Sequence, residues 1–334
     1  MKHSPKALTF SLTMLLLVAV PLVANAQLSK VKTVFVVMME NHNWTGNDAG
    51  ASFGDPDIKD NPLAPFVNGT LVKISAHPEQ YYNPPGNHPS QPNYLWLEAG
   101  TNFGLLADTQ PGQVPGIKPH SKHLVRLLQD AGISWKAYAE PDWGSPAFFD
   151  TCPLDFSFLD VNHLAPVYFN DINDGLNPES PECLAHVVPY YQLATDLADH
   201  TTVRYNLVIP DLCHQGHEGV SPCDPLEPAD NTLRGDTWLK ENLPVILESD
   251  AYKDDGAIFV IWDEAEDSEQ FSDGPTNFFL LSPLAKGGGK TAYSNNIHYD
   301  HSSTLKTIEE IFGVTPLLGA AADPKTVDLK DLFK

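Results

Sequence analysis

Two short stretches of the sequence contain residue types that bind divalent cations. Glu40 and Asn41 directly follow the apolar run VKTVFVVMM, and Asp263 and Glu264 directly follow GAIFVIW. Carboxylate and amide oxygens are ligands of hard or borderline divalent cations, and a bound cation offsets the repulsion between clustered carboxylates. A solvated acidic loop would explain one such stretch. Two of them, each at the end of an apolar run, favour a metal site.

Ser90, in the stretch NHPSQPNYLWLEAG, is a candidate nucleophile. It precedes a helical pattern over 91–99, with Pro92 in the first turn, where proline is tolerated. A serine at a helix start lies beside free backbone N–H groups, which favour bound phosphate. Contact with a metal ion would favour its alkoxide and activate it for attack. An ordinary helix-capping serine is the alternative explanation.

Four histidines occupy similar positions at the ends of predicted elements. His214 and His217 follow a strand-like run in IPDLCHQGHEG, and His298 and His301 precede a helical pattern in IHYDHSSTLKTIEEIFG. Imidazoles at such positions can bind a metal, donate a proton to a leaving group or make neutral hydrogen bonds. A structural role remains the alternative for each of them.

The elements that must position these residues alternate along the chain. Continuous apolar runs without alternation predict strands covered on both faces, and patterns of period 3.6 predict helices between them. The predicted strands are 31–39, 133–138, 204–209, 256–262 and 277–282, and the predicted helices are 91–99, 121–131, 230–248 and 301–312. This alternation predicts an α/β/α sandwich with a mostly parallel central sheet. Ligands bind beyond the carboxyl ends of such strands, where the acid pairs lie.

The domain organisation predicted from the sequence is a signal peptide followed by one domain. Residues 1–26 combine Lys2 and Lys6, an apolar run and a small-residue cleavage signal that ends at Ala26. A membrane anchor is the alternative, but the run is shorter than the ~20 residues needed to span a bilayer. We therefore expect a secreted or periplasmic protein with no stable membrane anchor. Residues 27–334 are predicted to form one domain with insertions at 45–88 and 140–186, which are expected to be functional or to contain small elements of their own.

The charge of the chain limits its possible partners. Its formal net charge is −23, and removal of the signal peptide with its two lysines makes the chain more acidic. Such a surface repels nucleic acid and anionic membranes, so neither is an expected partner. An anionic substrate would need a local positive centre, which a metal ion could supply.

The four cysteines are an even number in a chain predicted to be exported, which favours two disulfides. Three pairings are possible. We predict that sequence neighbours pair, Cys152 with Cys183 and Cys213 with Cys223. Free buried thiols are the alternative.

Five stretches, in order, resemble a known family. MMENHNW, HPSQPNY, IPDLCHQGHEG, VIWDE and YDHSSTLKTIEEIFG are similar to motifs of the phosphoesterase family that contains secreted acid phosphatases and phospholipases C, within the alkaline-phosphatase-like superfamily. The resemblance implies an alkaline-phosphatase-like fold and a metal-assisted serine nucleophile. It implies one divalent ion (Ca, Mg, Mn or Zn) held by Glu40, Asn41, Ser90, Asp263 and Glu264, with His88, His217 and His301 around the phosphate.

One position departs from the family pattern. The family commonly has N-D-x-H-D where this chain has HQGHE, so Gln215 stands where an acid is usual. A neutral amide is a poorer cation ligand than a carboxylate. We therefore expect a single metal ion, with His217 and His301 as charged hydrogen-bond donors.

The resulting functional prediction is a secreted, metal-dependent phosphomonoesterase, an acid phosphatase that acts on a small phosphate ester through a phosphoserine at Ser90. A phospholipase C-type phosphodiesterase is the first alternative. A secreted metal- or phosphate-binding protein without turnover is the second, which Gln215 favours and the intact Ser90 opposes. The sequence gives no signal for the oligomeric state.

Overall fold

We describe a computed structural model of the chain, which covers residues 27–46, 57–145, 149–157, 159–217, 223–265 and 274–334. The predicted signal peptide therefore lies outside the described residues. The strands are β1 (Val34–Met39), β2 (Ala76–Pro78), β3 (Tyr81–Tyr82), β4 (Trp135–Ala139), β5 (Val187–Pro189), β6 (Tyr205–Ile209), β7 (Ala257–Trp262), β8 (Phe278–Leu281), β9 (Tyr293–Asn295) and β10 (Tyr299–Asp300).

The α-helices are α1 (Val72–Ile74), α2 (Ser90–Ala99), α3 (Leu124–Asp130), α4 (Asn170–Asn173), α5 (Pro181–His186), α6 (Tyr191–Ala198), α7 (Asn231–Leu247), α8 (Asp250–Lys253) and α9 (His301–Phe312). Short 3₁₀ segments lie at Leu28–Lys30, Val161–His163, Ala165–Tyr168, Gly319–Ala322 and Leu329–Leu332, and a π-helical turn covers Val67–Leu71. Among the described helices, none combines the length and apolar composition that a bilayer span requires.

The main sheet of the described residues has the strand order β5-β4-β6-β1-β7-β8-β2-β9. The first five strands of this order run parallel, and β8 runs antiparallel to both of its neighbours. Strands β3 and β10 form a separate parallel pair. Since β1 lies between β6 and β7, its carboxyl end is at the centre of one sheet edge.

Both faces of the sheet are buried. In β1, Val36 packs into a core shared with α2, α3 and α9, whereas Val37 packs into a core on the opposite face with α6 and α7. Each fully buried valine, leucine or phenylalanine stabilises the fold by about 1.5–3 kcal/mol relative to an exposed one. Burial on both faces explains the continuous apolar runs, and the predicted α/β/α sandwich is confirmed.

All five predicted strands and four predicted helices occur, with ends that shift by a few residues. The short strands β2, β5 and β9 were not expected, because three residues cannot show a periodic pattern. The insertion 140–186 contains α4 and α5. The predicted disulfides are confirmed: Cys152–Cys183 and Cys213–Cys223 both have Cα–Cα distances of 5.6 Å.

Candidate active site

The carboxyl ends of β1 and β7 bring the two predicted acid pairs together. Met39 and Trp262 are partners in the parallel register, so the residues that follow them lie side by side. The Asp263 N–H donates to the Met39 carbonyl at 3.0 Å, and the Asn41 N–H donates to Asp263 Oδ1 at 3.0 Å. Glu40 is fully buried. We call Glu40, Asn41, Asp263 and Glu264 the β1–β7 cluster.

Ser90 lies against this cluster and does not cap its helix. It is the first residue of α2, whose N-cap is Pro89, and the cap makes no side-chain hydrogen bond. The Ser90 hydroxyl instead donates to Glu40 Oε2 at 2.7 Å. The N–H group of Gln91, at the start of the helix, donates to Asp108 Oδ1 at 3.0 Å. The alternative of an ordinary capping serine therefore does not describe this residue.

Two residues that sequence reasoning missed contact the other oxygen of Glu40. The Tyr94 hydroxyl donates to Glu40 Oε1 at 2.5 Å, and His163 Nε2 lies 3.4 Å from the same oxygen. The two rings stack, with centroids 4.7 Å apart. Tyr94 could have been found from its position one helical turn after Ser90. His163 lies in the insertion 140–186, which contains no periodic pattern that could have indicated this residue.

Glu264 is held by residues of the Ser90 segment. Its Oε2 lies 2.9 Å from His88 Nδ1 and accepts a hydrogen bond from Asn93 Nδ2 at 2.7 Å. The other ring nitrogen of His88 lies 3.2 Å from Asn83 Nδ2. The structure thus places His88 beside a carboxylate, and its expected contact with phosphate stays a prediction.

His301 is buried behind the cluster. Its Nε2 donates to the backbone carbonyl of Asp263, the Tyr81 hydroxyl lies 3.0 Å from Nδ1, and the residue has no exposed surface. Burial lowers the pKa of His301 to about 4, so the ring is neutral at ordinary pH. This placement differs from the expected charged donor. The structure favours a neutral His301 that orients Asp263.

His217 is the most exposed histidine around Glu40. Its side chain is 35% exposed, its Nδ1 lies 3.6 Å from Glu40 Oε2, and its Nε2 lies 3.0 Å from Asn41 Nδ2. Of the remaining candidate histidines, His298 stacks on Tyr82 with ring centroids 4.7 Å apart. His217 can therefore face a substrate bound at Ser90.

The donor set of the β1–β7 cluster fits a divalent cation. Burial raises the pKa of Glu40, Asp263 and Glu264. At Asp263, repulsion by Glu40 and Glu264 adds to this rise, whereas at Glu40 hydrogen bonds from Tyr94 and Ser90 oppose it and repulsion by Glu264 is a smaller cause. Asp263 Oδ2 and Asn41 Oδ1 are buried without a hydrogen-bond partner among the described residues. Oxygen atoms of this kind are ligands of hard cations. A bound cation would partner these oxygens and reduce the repulsion.

A second acidic group lies at the carboxyl ends of β4 and β6. His214 Nδ1 lies 2.9 Å from both Glu140 Oε2 and Asp211 Oδ1, and Nε2 lies 3.0 Å from Glu227 Oε1. We call these four residues the β4–β6 cluster. Burial lowers the pKa of His214, but hydrogen bonds to Asp211 and Glu140 outweigh it and raise the pKa to about 11.

The two clusters differ in how closely their ligand atoms approach. In the described part of the chain, one group of three His, Cys, Asp or Glu side chains has ligand atoms all within 4.8 Å of one another, namely Glu140, Asp211 and His214. His214 was a candidate from the sequence, whereas Glu140 and Asp211, the acids that end AYAE and VIPD, were not predicted. Those acids follow strands in the same way as Glu40 does.

Comparison with known proteins identifies the family. Residues 71–268 match the Phosphoesterase family, and the chain belongs to this family. The resemblance inferred from the five motifs is therefore confirmed. Family membership makes the chain a hydrolase of phosphate esters.

Three relatives are similar in sequence. The phosphatidylinositol-3-phosphatase of Mycobacterium tuberculosis is 25% identical over 80% of this chain and 76% of that protein. The probable acid phosphatase of Kluyveromyces lactis is 25% identical over 66% of this chain and 48% of its own length. The phosphate-repressible acid phosphatase of Penicillium chrysogenum is 22% identical, with coverages of 70% and 51%. The chain thus spans about half the length of these two acid phosphatases.

Solved structures with the same fold belong to several enzymes. An alkaline phosphatase superfamily protein of Vibrio parahaemolyticus has a TM-score of 0.54 at 12% identity and covers 88% of this chain and 70% of its own. A sulfatase of Pseudoalteromonas sp. has a TM-score of 0.56 at 12% identity, with coverages of 93% and 73%. Murine ectonucleotide pyrophosphatase/phosphodiesterase 5 has a TM-score of 0.53 at 10% identity, with coverages of 91% and 100%. At these identities the likeness shows the fold alone.

Proposed function

We propose that the chain is a phosphomonoesterase that uses one divalent cation and Ser90 as its nucleophile. The observation that carries this proposal is the 2.7 Å hydrogen bond from the Ser90 hydroxyl to Glu40 Oε2, beside the buried acids Asp263 and Glu264. A serine oxygen in contact with a cation-binding carboxylate can be activated as a nucleophile. The three relatives described above are named as phosphatases, which supports monoesters over phospholipid diesters as substrates.

The residues that would hold the cation are Glu40, Asn41, Ser90, Asp263 and Glu264. When bound there, a divalent cation supplies positive charge that lowers the pKa of the serine hydroxyl and offsets the charge of the phosphate. The candidate ions are Ca, Mg, Mn and Zn, and the one that binds can be determined directly. The neutral His301 holds the Asp263 backbone in place for this role.

The reaction proceeds in two steps. Ser90 Oγ passes its proton to Glu40 Oε2 as it attacks phosphorus, the bond from phosphorus to the ester oxygen breaks, and His217 donates a proton to the departing alcohol oxygen. Water then attacks the phosphoserine and gives a proton to the neutral His217. The bond from phosphorus to Oγ breaks, inorganic phosphate leaves, and the proton held by Glu40 returns to Oγ to restore the Ser90 hydroxyl. His217 suits the proton transfer because its ring is partly exposed beside Glu40.

We also propose that the mature chain acts outside the cytoplasm. Two disulfides fit an oxidising compartment, where such bonds persist. Residues 1–26 have the sequence pattern of a signal peptide that directs export.

The decisive experiment measures hydrolysis of p-nitrophenyl phosphate by the wild type and by Ser90→Ala, with and without chelator. We expect both the substitution and the chelator to abolish turnover, and acid-quenched wild type to contain phosphoserine at residue 90. Ser282→Ala, which alters a buried serine outside the site, is the matched control. Near-normal turnover by Ser90→Ala would refute the nucleophile. Faster release of diacylglycerol from phosphatidylcholine than of phosphate from the monoester would favour a phospholipase C.

A further inference from the structure

The helix that begins with Ser90 contacts both oxygens of Glu40. Ser90 and Tyr94 are four residues apart, so they lie on the same face of α2 in successive turns. The Ser90 hydroxyl donates to Oε2 at 2.7 Å, and the Tyr94 hydroxyl donates to Oε1 at 2.5 Å. The carboxylate therefore lies across two turns of one helix, and its orientation relative to the nucleophile is fixed by that helix.

Tyr94 is well placed to hold the carboxylate. Its side chain is buried, with 3% of the residue exposed, and its ring stacks on His163. His163 is equally buried and brings Nε2 to 3.4 Å from the same Oε1. Oε1 of Glu40 therefore faces the Tyr94 hydroxyl and His163 Nε2, whereas Oε2 faces the Ser90 hydroxyl.

The terminal torsion of a glutamate side chain has a broad, roughly two-fold preference, so a carboxylate without fixed partners rotates readily. A hydrogen bond from a neutral donor to a carboxylate is charge-assisted and therefore strong. Because Tyr94 binds Oε1, rotation of the Glu40 carboxylate would break this bond as well as the bond to Ser90. Glu40 is therefore held with Oε2 directed at the nucleophile.

The start of α2 also holds a second carboxylate, that of Glu264. Asn93, the neighbour of Tyr94, donates to Glu264 Oε2 at 2.7 Å. The first two turns of α2 thus contact both Glu40 and Glu264, which follow different strands. The spacing of these two acids is set by α2 as well as by the register of the sheet.

We infer that Tyr94, assisted by His163, is a positioning residue of the cation site: it holds Oε1 of Glu40 so that Oε2 can serve the cation and Ser90 together. This inference rests on the proposed function, since it concerns the same site. Substitutions of residues that orient metal ligands typically reduce metal affinity or activity by about 10–100-fold.

The test is the variant Tyr94→Phe, which removes only the hydroxyl. Full-length wild type and variant are stripped with chelator and titrated calorimetrically with Mn²⁺, Ca²⁺, Mg²⁺ and Zn²⁺. We expect the dissociation constant of the preferred ion to rise about 10–100-fold, with a fall in kcat and little change in KM. Tyr138→Phe is the matched control, because it removes another buried tyrosine hydroxyl that donates to a carboxylate, that of Asp196, outside the site.

The outcomes separate the possible explanations. Equal ion dissociation constants for wild type and Tyr94→Phe would overturn the positioning role, even if the metal-free variant unfolds at a lower temperature. If Tyr94→Phe does not fold, His163→Gln and His163→Leu replace it: the inference requires weaker ion binding by the leucine variant, which has no polar group at position 163 near Oε1. A wild type that binds none of the four ions refutes the metal site of the proposed function and this inference with it.

Discussion

In both the β1–β7 and the β4–β6 cluster, acidic residues follow neighbouring strands, but their side chains make different contacts. In each, neighbouring parallel strands end in acids that meet at the carboxyl edge of the sheet. In the β4–β6 cluster, both ring nitrogens of His214 contact carboxylates, and Asp211 Oδ1 also accepts backbone N–H groups of Cys213 and His214. In the described part of the chain, the buried oxygens of these two clusters without a hydrogen-bond partner are Asp263 Oδ2 and Asn41 Oδ1 in the β1–β7 cluster, and Glu227 Oε2 at the margin of the β4–β6 cluster.

We interpret the β4–β6 cluster as a stabilising network and propose the β1–β7 cluster as a ligand site. A buried carboxylate needs a compensating charge or hydrogen bonds, because burial disfavours its charged form. The β4–β6 cluster obtains that compensation from the imidazolium of His214. The β1–β7 cluster has histidines at its edge, yet two of its buried oxygens have no hydrogen-bond partner among the described residues, and Glu40 Oε2 accepts the Ser90 hydroxyl. We therefore expect substitutions in one cluster to change stability and in the other to change turnover.

The largest effect should come from Asp263→Asn. The substitution keeps the shape of the side chain but removes a charge that the proposed cation needs, so we expect kcat/KM for p-nitrophenyl phosphate to fall about 10³-fold. The metal-free variant should unfold at a higher temperature than metal-free wild type, because a buried repulsion with Glu40 is relieved. Kinetics and calorimetry after chelation measure the two effects. Turnover within tenfold of wild type would remove Asp263 from the ligand set.

His214→Ala should have its main effect on stability. Removal of the imidazolium leaves the carboxylates of Glu140, Asp211 and Glu227 without their shared positive partner. We therefore expect a loss of about 3 kcal/mol in the free energy of unfolding at pH 5. Denaturant titration measures this loss, and kcat of the folded variant should stay within a few-fold of wild type. A variant of unchanged stability but lost activity would move the β4–β6 cluster into the functional site.

Wild type and His214→Ala also test how the stabilisation by His214 depends on pH. The pKa of His214 is raised to about 11 in the folded state, above its value of about 6.5 in an unfolded chain. Its stabilisation is therefore fully present below about pH 6.5 and is lost as the pH rises toward 11. The stability difference between wild type and His214→Ala should shrink from pH 5 to pH 9. A difference that grows over this range would contradict the ion network.

Much of this comparison could be predicted from the sequence, and the rest depended on tertiary contacts. Continuous apolar runs predicted the central strands, because both faces of the sheet are buried. The acids after β1 and β7 predicted half of the candidate site. His163 could not be found, since it reaches Glu40 from an insertion with no periodic pattern. His301 was expected to be charged, because its sequence position at a helix start does not reveal that Tyr81 and Asp263 enclose it.

The smallest effect concerns Asp108, which lies at the edge of the β1–β7 site. Its carboxylate accepts the Gln91 N–H at the start of α2, where the helix would otherwise favour an anion. Asp108→Asn keeps an acceptor oxygen but removes the negative charge, so a phosphate ester should bind more tightly, with KM about 2–5-fold lower at low salt. Raising the ionic strength should reduce this gain, because the effect is electrostatic. A KM that rises in the variant would show that Asp108 assists substrate binding. The start of α2 would then not be the group that attracts the anionic substrate to the β1–β7 site.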